Sequence, residues 1–96
     1  MHAVVRSYSG QGAAEVFDVI EEKGEEVTSL LSGVPGFVSY VAFRNGDGGT
    51  TVTVCDDKAG TDESSQRAAG FIKENLSETG SAPEITEGST VLQFGS

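Results

Sequence analysis

Two arginine–tyrosine pairs are the side chains of this sequence best suited to chemistry on a small molecule. Arg6 and Tyr8 lie near the start of the chain, and Tyr40 and Arg44 lie near its middle. In extended strands, residues separated by an even number of positions share one face. If the two faces coincide, the guanidinium and phenol groups would form a pocket for a planar anionic or phenolic ligand. The alternative is that these residues pair with carboxylates or line a subunit interface, where Tyr and Arg are enriched.

Groups typical of catalytic or cofactor sites are sparse in the rest of the sequence. Gly10-Gln11-Gly12 lies between a predicted strand and a predicted helix, as a dinucleotide-binding turn would, but Glu15 occupies the third glycine position of that fingerprint. The only histidine, His2, is near the chain start, where side chains are poorly held, and the only cysteine, Cys55, lies in an apolar strand pattern. We therefore expect no cofactor and no catalytic role for either residue.

A cluster of acidic residues precedes the second predicted helix. Its members are Asp56, Asp57, Asp62 and Glu63. Calcium-binding loops place oxygen ligands at alternating positions with a glycine at the sixth, and this segment does not follow that spacing. Carboxylates at this position also stabilise the positive end of a helix. We therefore expect these residues to cap the helix and expect no metal site.

The elements that would position the arginine–tyrosine pairs follow from apolar periodicity, which predicts the order strand, helix, strand, strand, helix, strand. Gly24 interrupts the first helix and predicts a kink or a close backbone contact there. Five apolar residues are expected in the core: Phe17, Ile20, Leu31, Phe71 and Ile72. The predicted elements are a strand at 2–9, a helix at 13–32 stopped by Gly33, strands at 36–44 and 50–55 joined by a loop at 45–49, a helix capped by Thr61 or Asp62, and a strand at 85–94 broken near Glu87-Gly88.

This order predicts an α+β fold, the ferredoxin-like βαββαβ plait. Its four-stranded antiparallel sheet would carry both helices on one face. The first two predicted strands have apolar residues on both faces, whereas a sheet with one wet face alternates more cleanly. Because the sequence has no third layer to cover the second face, we expect a homodimer that buries it.

Length and charge limit the remaining classes of function. The 96 residues are expected to form a single domain over 1–96. The net charge of −9, from 15 acidic and 6 basic residues, argues against binding to nucleic acids or anionic membranes. No run of about 20 apolar residues, no signal-peptide pattern and only one cysteine are present, so we expect a cytoplasmic protein.

The sequence resembles the dimeric α+β barrel superfamily, in particular antibiotic-biosynthesis monooxygenase-like domains. The residues that carry this resemblance are the first strand, Ala3-Val4-Val5-Arg6-Ser7-Tyr8, and the end of the first helix with the entry into the next strand, Leu30-Leu31-Ser32-Gly33-Val34-Pro35-Gly36-Phe37. The resemblance extends over nearly the whole chain and implies a homodimer formed through the sheet faces. The superfamily includes monooxygenases, haem-degrading proteins, isomerases and dehalogenating enzymes. The sequence has no Trp and only His2, so the helix-borne histidine and pocket tryptophan of the haem-degrading members have no counterpart.

Three functions are consistent with these observations. The first is a small homodimeric barrel that binds a small aromatic or anionic molecule. The second is a cofactor-independent monooxygenase on a phenolic or quinone-like substrate, in which Arg6 or Arg44 stabilises the substrate anion and Tyr8 or Tyr40 orients it. The third is a structural or regulatory interaction domain that uses the acidic helix surface. A roomy cavity beside the arginines would favour the first two, and a filled core would favour the third.

Overall fold

The computed structural model describes residues 1–76 and 82–95. Four strands and three helices follow one another along the chain. They are β1 (His2–Tyr8), α1 (Ala13–Glu22), α2 (Gly24–Ser32), β2 (Phe37–Asn45), β3 (Gly48–Cys55), α3 (Lys58–Asn75) and β4 (Glu84–Ser89).

The strands form one antiparallel sheet in the order β2-β3-β1-β4. The two central strands, β3 and β1, come from different halves of the chain, as in a ferredoxin-like plait. The helices cover one face of this sheet, so the predicted fold class is confirmed. On that face Phe17, Leu31 and Phe71 are buried as predicted, and Ile20 and Ile72 are half-buried beside them.

The predicted interruption at Gly24 is confirmed, but it is a full break, so the segment 13–32 forms two helices, α1 and α2, and not the single helix that was predicted. Lys23 leaves the helical conformation at φ −114° and ψ 36°. Gly24, a poor helix former, begins the second helix. The break lets α2 turn Val27 and Leu31 toward Phe71 of α3, while α1 packs Val16 and Phe17 over the sheet.

Two glycine turns also differ from prediction. Gly33 ends α2 in a right-handed conformation, and Gly36 takes the left-handed one at φ 80°. Only glycine adopts that conformation at low energy, which makes Gly36 the residue that turns the chain into β2. The predicted loop at 45–49 is shorter than expected, since Gly48 and Gly49 belong to β3 and are buried. A side chain at Gly49 would collide with Phe17, so these glycines let α1 lie close to the sheet.

The second predicted helix begins earlier than expected. Asp57, and not Thr61 or Asp62, is its cap, and the Asp57 carboxylate accepts a hydrogen bond of 3.0 Å from the amide of Gly60. Satisfying a free amide at a helix start in this way stabilises the first turn. The earlier start buries Thr61 and Ser64 on the sheet side of α3.

The last strand is shorter than predicted. β4 ends at Ser89, which pairs with His2, the first residue of β1. Residues after Ser89 therefore have no further residue of β1 with which to pair. Glu87 and Gly88 lie within β4 and do not break it. Three apolar residues of the predicted strand at 85–94 lie beyond the end of β4: Val91, Leu92 and Phe94, which are 99%, 77% and 84% exposed.

The sheet face away from the helices carries exposed apolar side chains. Val41 and Phe43 of β2 are about half exposed there, next to Val52 of β3 and Val5 of β1. A β-bulge between Phe37 and Ser39 changes the alternation at the start of β2. Phe37 therefore packs with the helices. Strict alternation would have placed it on the other face, with Val41 and Phe43.

Candidate functional site

All four predicted site residues lie on the helix side of the sheet, and three of them come together there. Alternation along β1 buries Val4, Arg6 and Tyr8 beneath the helices. Tyr40 of β2 packs against the cluster formed by α2 and α3. The sheet register therefore brings Arg6, Tyr8 and Tyr40 together, as the sequence analysis anticipated for residues on a common face.

Arg6 is a buried cation held by hydroxyl groups. Its side chain is 2% exposed. The Nη2 atom donates to the hydroxyl oxygens of Ser64, at 2.8 Å, and Ser65, at 2.7 Å. Longer bonds of 3.2 Å run from Nε to Ser65 and from Nη1 to the Oγ1 atom of Thr53. Among residues 1–76 and 82–95, no Asp or Glu lies within ion-pair distance of this guanidinium.

The hydroxyl groups around Arg6 are oriented by the fold. The early start of α3 places Ser64 and Ser65 above β1. The Ser64 hydroxyl donates to the carbonyl of Thr61 at 2.7 Å, so its oxygen lone pairs are free to accept from Arg6. Thr53 reaches the guanidinium from β3, opposite its partner Val4 of β1. These neutral acceptors hold the cation in place without neutralising it.

Arg6 lies in the wall of a cavity of about 430 Å³ between β1, α1, α3 and the start of β4. Tyr8, Ser65 and Lys73 contribute the other polar side chains of the wall. The lining that the described residues form includes no Asp or Glu. Most of the remaining wall is apolar and comes from Ala13, Val16, Ala69, Ile72 and Ile85.

Burial shifts the pKa of three groups at or near this wall, Arg6, Tyr8 and Tyr40. Burial lowers the pKa of Arg6, and the neighbouring Tyr8 and Tyr40 partly oppose that shift. Burial raises the pKa of Tyr8, with Arg6 acting in the opposite direction. Burial and the proximity of Tyr8 raise the pKa of Tyr40 to about 12. Both phenols are therefore neutral near pH 7 and are able to donate hydrogen bonds.

The two tyrosines differ in their access to the cavity. Tyr8 lines it and is braced by Phe17, whose ring meets that of Tyr8 edge-on at 5.8 Å and 78°. Tyr40 is absent from that lining and lies beside a separate void of about 20 Å³ that Tyr8 and Thr51 also line. That void is about large enough for one water molecule. Tyr8 is thus placed to contact a ligand directly, whereas Tyr40 is not.

Arg44 does not join the other three residues. It lies at the exposed end of β2, where its Nη2 atom donates to Asp18 at 2.8 Å and its Nε atom donates to Glu21 at 2.6 Å. Hydrogen bonds to Glu21 and Asp18 raise the pKa of Arg44. Exposed ion pairs of this kind contribute little to stability. Arg44 therefore links β2 to α1 and lies outside the cavity lining.

Sequence reasoning missed the residues that complete the site. Ser64 and Ser65 lie within a helix, and Thr53 lies in a strand whose alternation looked like ordinary β-propensity. A signal was present, because small polar residues on the buried side of an amphipathic helix require a polar partner. Lys73, near the end of α3, gave no such signal.

The other chemically interesting residues have structural partners. His2 is better held than predicted, since its Nδ1 atom lies 3.0 Å from the hydroxyl of Thr61. Cys55 is fully buried, and burial raises the pKa of its thiol. Asp62 pairs with Lys58, and Glu63 pairs with Arg67. Within the described ranges, no group of three His, Cys, Asp or Glu side chains is arranged to hold a metal ion, and no helix is long and apolar enough to cross a membrane.

Comparisons with known proteins identify the fold. No protein-family model matches the sequence, and no curated protein matches it either. Among solved structures, a Nitrosomonas europaea protein of unknown function, NE2512, matches with a TM-score of 0.70 and 15% identity over 99% of this chain and 92% of its own. The haem degrader MhuD of Mycobacterium tuberculosis, with two haems in its active site, has a TM-score of 0.66 and 14% identity over 99% of this chain and 100% of its own. The Streptomyces coelicolor monooxygenase ActVA-Orf6, in complex with nanaomycin D, has a TM-score of 0.64 and 17% identity over 99% of this chain and 91% of its own.

At these identities the shared feature is the fold. These structures confirm the fold that the resemblance to the dimeric α+β barrel superfamily implied, over 99% of the chain. The neighbours differ among themselves in activity, so any functional argument has to come from the cavity of this chain.

Proposed function

We propose that this protein is a homodimer that binds a small aromatic anion in the cavity beside Arg6. The observation that carries the proposal is a guanidinium group that is 2% exposed, bound only by neutral hydroxyls among the described residues, and placed in the wall of a cavity. A buried charge is costly unless an opposite charge accompanies it. An anionic ligand group would supply that charge.

The rest of the wall supports a ring system as the body of the ligand. Apolar side chains of α1, α3 and β4 face the cavity, and Tyr8 adds an aromatic ring with a free hydroxyl donor. A volume of about 430 Å³ lies in the range of small-molecule sites. A planar ligand could stack between the helices while its charged group reaches Arg6.

The proposed dimer rests on the sheet face away from the helices. Val41 and Phe43 are 54% and 48% exposed there, and the apolar residues after β4 are more exposed still. A second copy would cover both sets. One solved neighbour, with a TM-score of 0.59 and 20% identity, is described as a dimeric ferredoxin-like protein. Sedimentation at micromolar concentration should give about twice the chain mass of 9.9 kDa, and a monomer would refute the dimer.

The single buried cysteine fits the reducing cytoplasm, which we propose as the location of the protein.

The binding proposal can be tested with 2-naphthoate as the anion and 2-naphthamide as its neutral analogue, by calorimetry. The wild-type protein should bind the anion and discriminate against the amide. Arg6→Met should weaken 2-naphthoate binding more than about thirtyfold, because it removes the buried charge partner. Ala69→Phe should also weaken binding by filling the cavity.

Arg44→Met is the matched control, since it removes the same charge outside the cavity. It should leave binding unchanged. Equal binding of acid and amide, or equal losses in the Arg6 and Arg44 variants, would contradict the proposal.

A cofactor-independent monooxygenase is the second candidate function. It is favoured by a cationic group in a largely apolar cavity, which would stabilise a phenolate or enolate while excluding water. Neighbours of the same fold include ActVA-Orf6 and the cofactor-independent oxygenase SnoaB of Streptomyces nogalater. Arg6 would bind the substrate oxyanion, and Tyr8 would orient the ring.

Anthrone is a suitable probe for this activity. Its anion would react with O₂ to give anthraquinone and water, so that the ring CH₂ becomes a carbonyl and O₂ is reduced. Oxygen uptake above the uncatalysed rate, abolished by Arg6→Met and retained by Arg44→Met, is the expected result. Uptake equal to the uncatalysed rate would leave binding alone as the function.

A further inference from the structure

We infer that the ligand of this cavity carries two anionic groups at opposite ends of its ring system, one bound by Arg6 and the other by Lys73. This inference rests on the proposed function and specifies its ligand class. It is drawn from the distribution of charge around the cavity and from the geometry of α3.

The cavity is positively charged in a strongly acidic protein. The chain has 15 acidic and 6 basic residues, yet the part of the lining that residues 1–76 and 82–95 supply contains two of the basic residues and none of the acidic ones. Arg44, Lys58 and Arg67 each pair with a carboxylate and lie outside the lining. Lys73 forms no ion pair within residues 1–76 and 82–95. The two basic residues of the lining are thus available to a ligand, and a wall of one sign concentrates anions.

The spacing along α3 separates the two positive charges. Ser65, Ala69 and Lys73 follow one another at intervals of four residues and all line the cavity. Eight residues of α-helix correspond to about 12 Å. Ser65 binds the guanidinium of Arg6, so Arg6 marks one end of this wall and Lys73 marks the other.

The two charges also differ in depth. Arg6 is 2% exposed and lies at the floor, whereas Lys73 is exposed and lies at the mouth. Between them the wall is apolar, with Ala69 and Ile72. A ligand matched to this wall has a rigid apolar body with an anionic group at each end, roughly 8–12 Å apart. An aromatic acid with a second carboxylate or phenolate across the ring system belongs to this class.

Three naphthalene acids separate this inference from the proposed function. They are 2-naphthoate with one carboxylate, naphthalene-2,6-dicarboxylate with carboxylates at opposite ends, and naphthalene-2,3-dicarboxylate with two adjacent carboxylates. The 2,6-diacid should bind about three- to fivefold more tightly than the other two at low salt, the size of one exposed ion pair. The difference should shrink as salt is added.

Variants assign the second contact to its residue. Lys73→Met should abolish the preference for the 2,6-diacid over 2-naphthoate. Lys58→Met, which makes the same charge change outside the lining, should preserve the preference. If 2-naphthoate binds in an Arg6-dependent manner but the 2,6-diacid binds no more tightly, this inference is wrong and the proposed function stands. If none of the three acids binds, both are wrong.

Discussion

Replacing Arg6 should separate ligand binding from stability. In most folded proteins a buried arginine is paired, and removing it costs about 3–5 kcal/mol because its partner charge is left unpaired. Here the partners are the hydroxyls of Ser64, Ser65 and Thr53. Removing the cation therefore leaves no buried carboxylate behind among the described residues.

The stability lost in Arg6→Met depends on the hydrogen bonds that each hydroxyl keeps. Ser64 retains its hydrogen bond to the Thr61 carbonyl, and Ser65 borders the cavity, where water can reach it. Thr53 is fully buried and would lose the only hydrogen-bond partner that the structure gives its Oγ1 atom. An unsatisfied buried hydroxyl costs about 1–3 kcal/mol, so Arg6→Met alone should lower the free energy of unfolding by about that amount.

The double variant Arg6→Met with Thr53→Val removes both the cation and the stranded hydroxyl. Its free energy of unfolding should lie within about 1.5 kcal/mol of the wild-type value, because the lost hydrogen bonds and the relieved desolvation of the charge are of similar size. Urea denaturation at one fixed protein concentration measures this, since a dimer's apparent stability depends on concentration. Binding of 2-naphthoate should still be lost. A double variant that is less stable by 3 kcal/mol or more would show that Arg6 serves the fold, and the reasoning on its role would fail.

Three further predictions concern stability. Because the pKa of Tyr40 is raised to about 12, ionisation of its phenol disfavours the folded state. The free energy of unfolding should therefore fall by about 1–3 kcal/mol between pH 10 and pH 12. Urea titrations in this pH range should show a smaller fall in the Tyr40→Phe variant. A methyl group at Gly49 would clash with the Phe43 carbonyl and come within 2.6 Å of the Phe17 ring, whereas Gly70 faces open space on α3. Gly49→Ala should therefore lower stability by at least about 1–3 kcal/mol and Gly70→Ala should raise it by about 0.5–1 kcal/mol; similar melting temperatures for the two would contradict the packing described. In chemical denaturation, Leu31→Ala should lower the free energy of unfolding by about 2–5 kcal/mol and Glu22→Ala by less than about 0.5 kcal/mol. Equal losses would contradict the buried position of Leu31 on α2 or the exposed position of Glu22 on α1.

The fold was predictable because periodicity acts over whole elements. The alternation along β1 correctly indicated that Arg6 and Tyr8 share a face. The errors arose where one residue decides the local geometry. The Asp57 side chain set the start of α3, Lys23 divided the first helix, and a bulge moved Phe37 to the helix side. None of these features has a period that a pattern could show.

The site was predictable only in part, for a related reason. Strand alternation places residues on a face but does not say which of them reach a neighbouring element. Arg44 shares the helix face with Tyr40, yet its length and position at the strand end bring it to the carboxylates of α1. Ser64 and Lys73 joined the site because of the position and direction of α3, which depend on long-range packing.

The exposed strand β4 has a consequence for how copies of this chain can associate. Among residues 1–76 and 82–95, β4 pairs only with β1, so its outer edge presents unpaired backbone groups to the described part of the chain, and all six of its residues are exposed. Such an edge is a template for adding another strand and can lead to open-ended assembly. Glu84 carries an exposed carboxylate on this short strand, and Glu87, which pairs with Lys58 at 3.2 Å, carries a second one. Two copies meeting edge to edge would bring their Glu84 charges close to one another. The edge thereby disfavours continuous sheet growth, which is consistent with the proposed dimer through the broad sheet face.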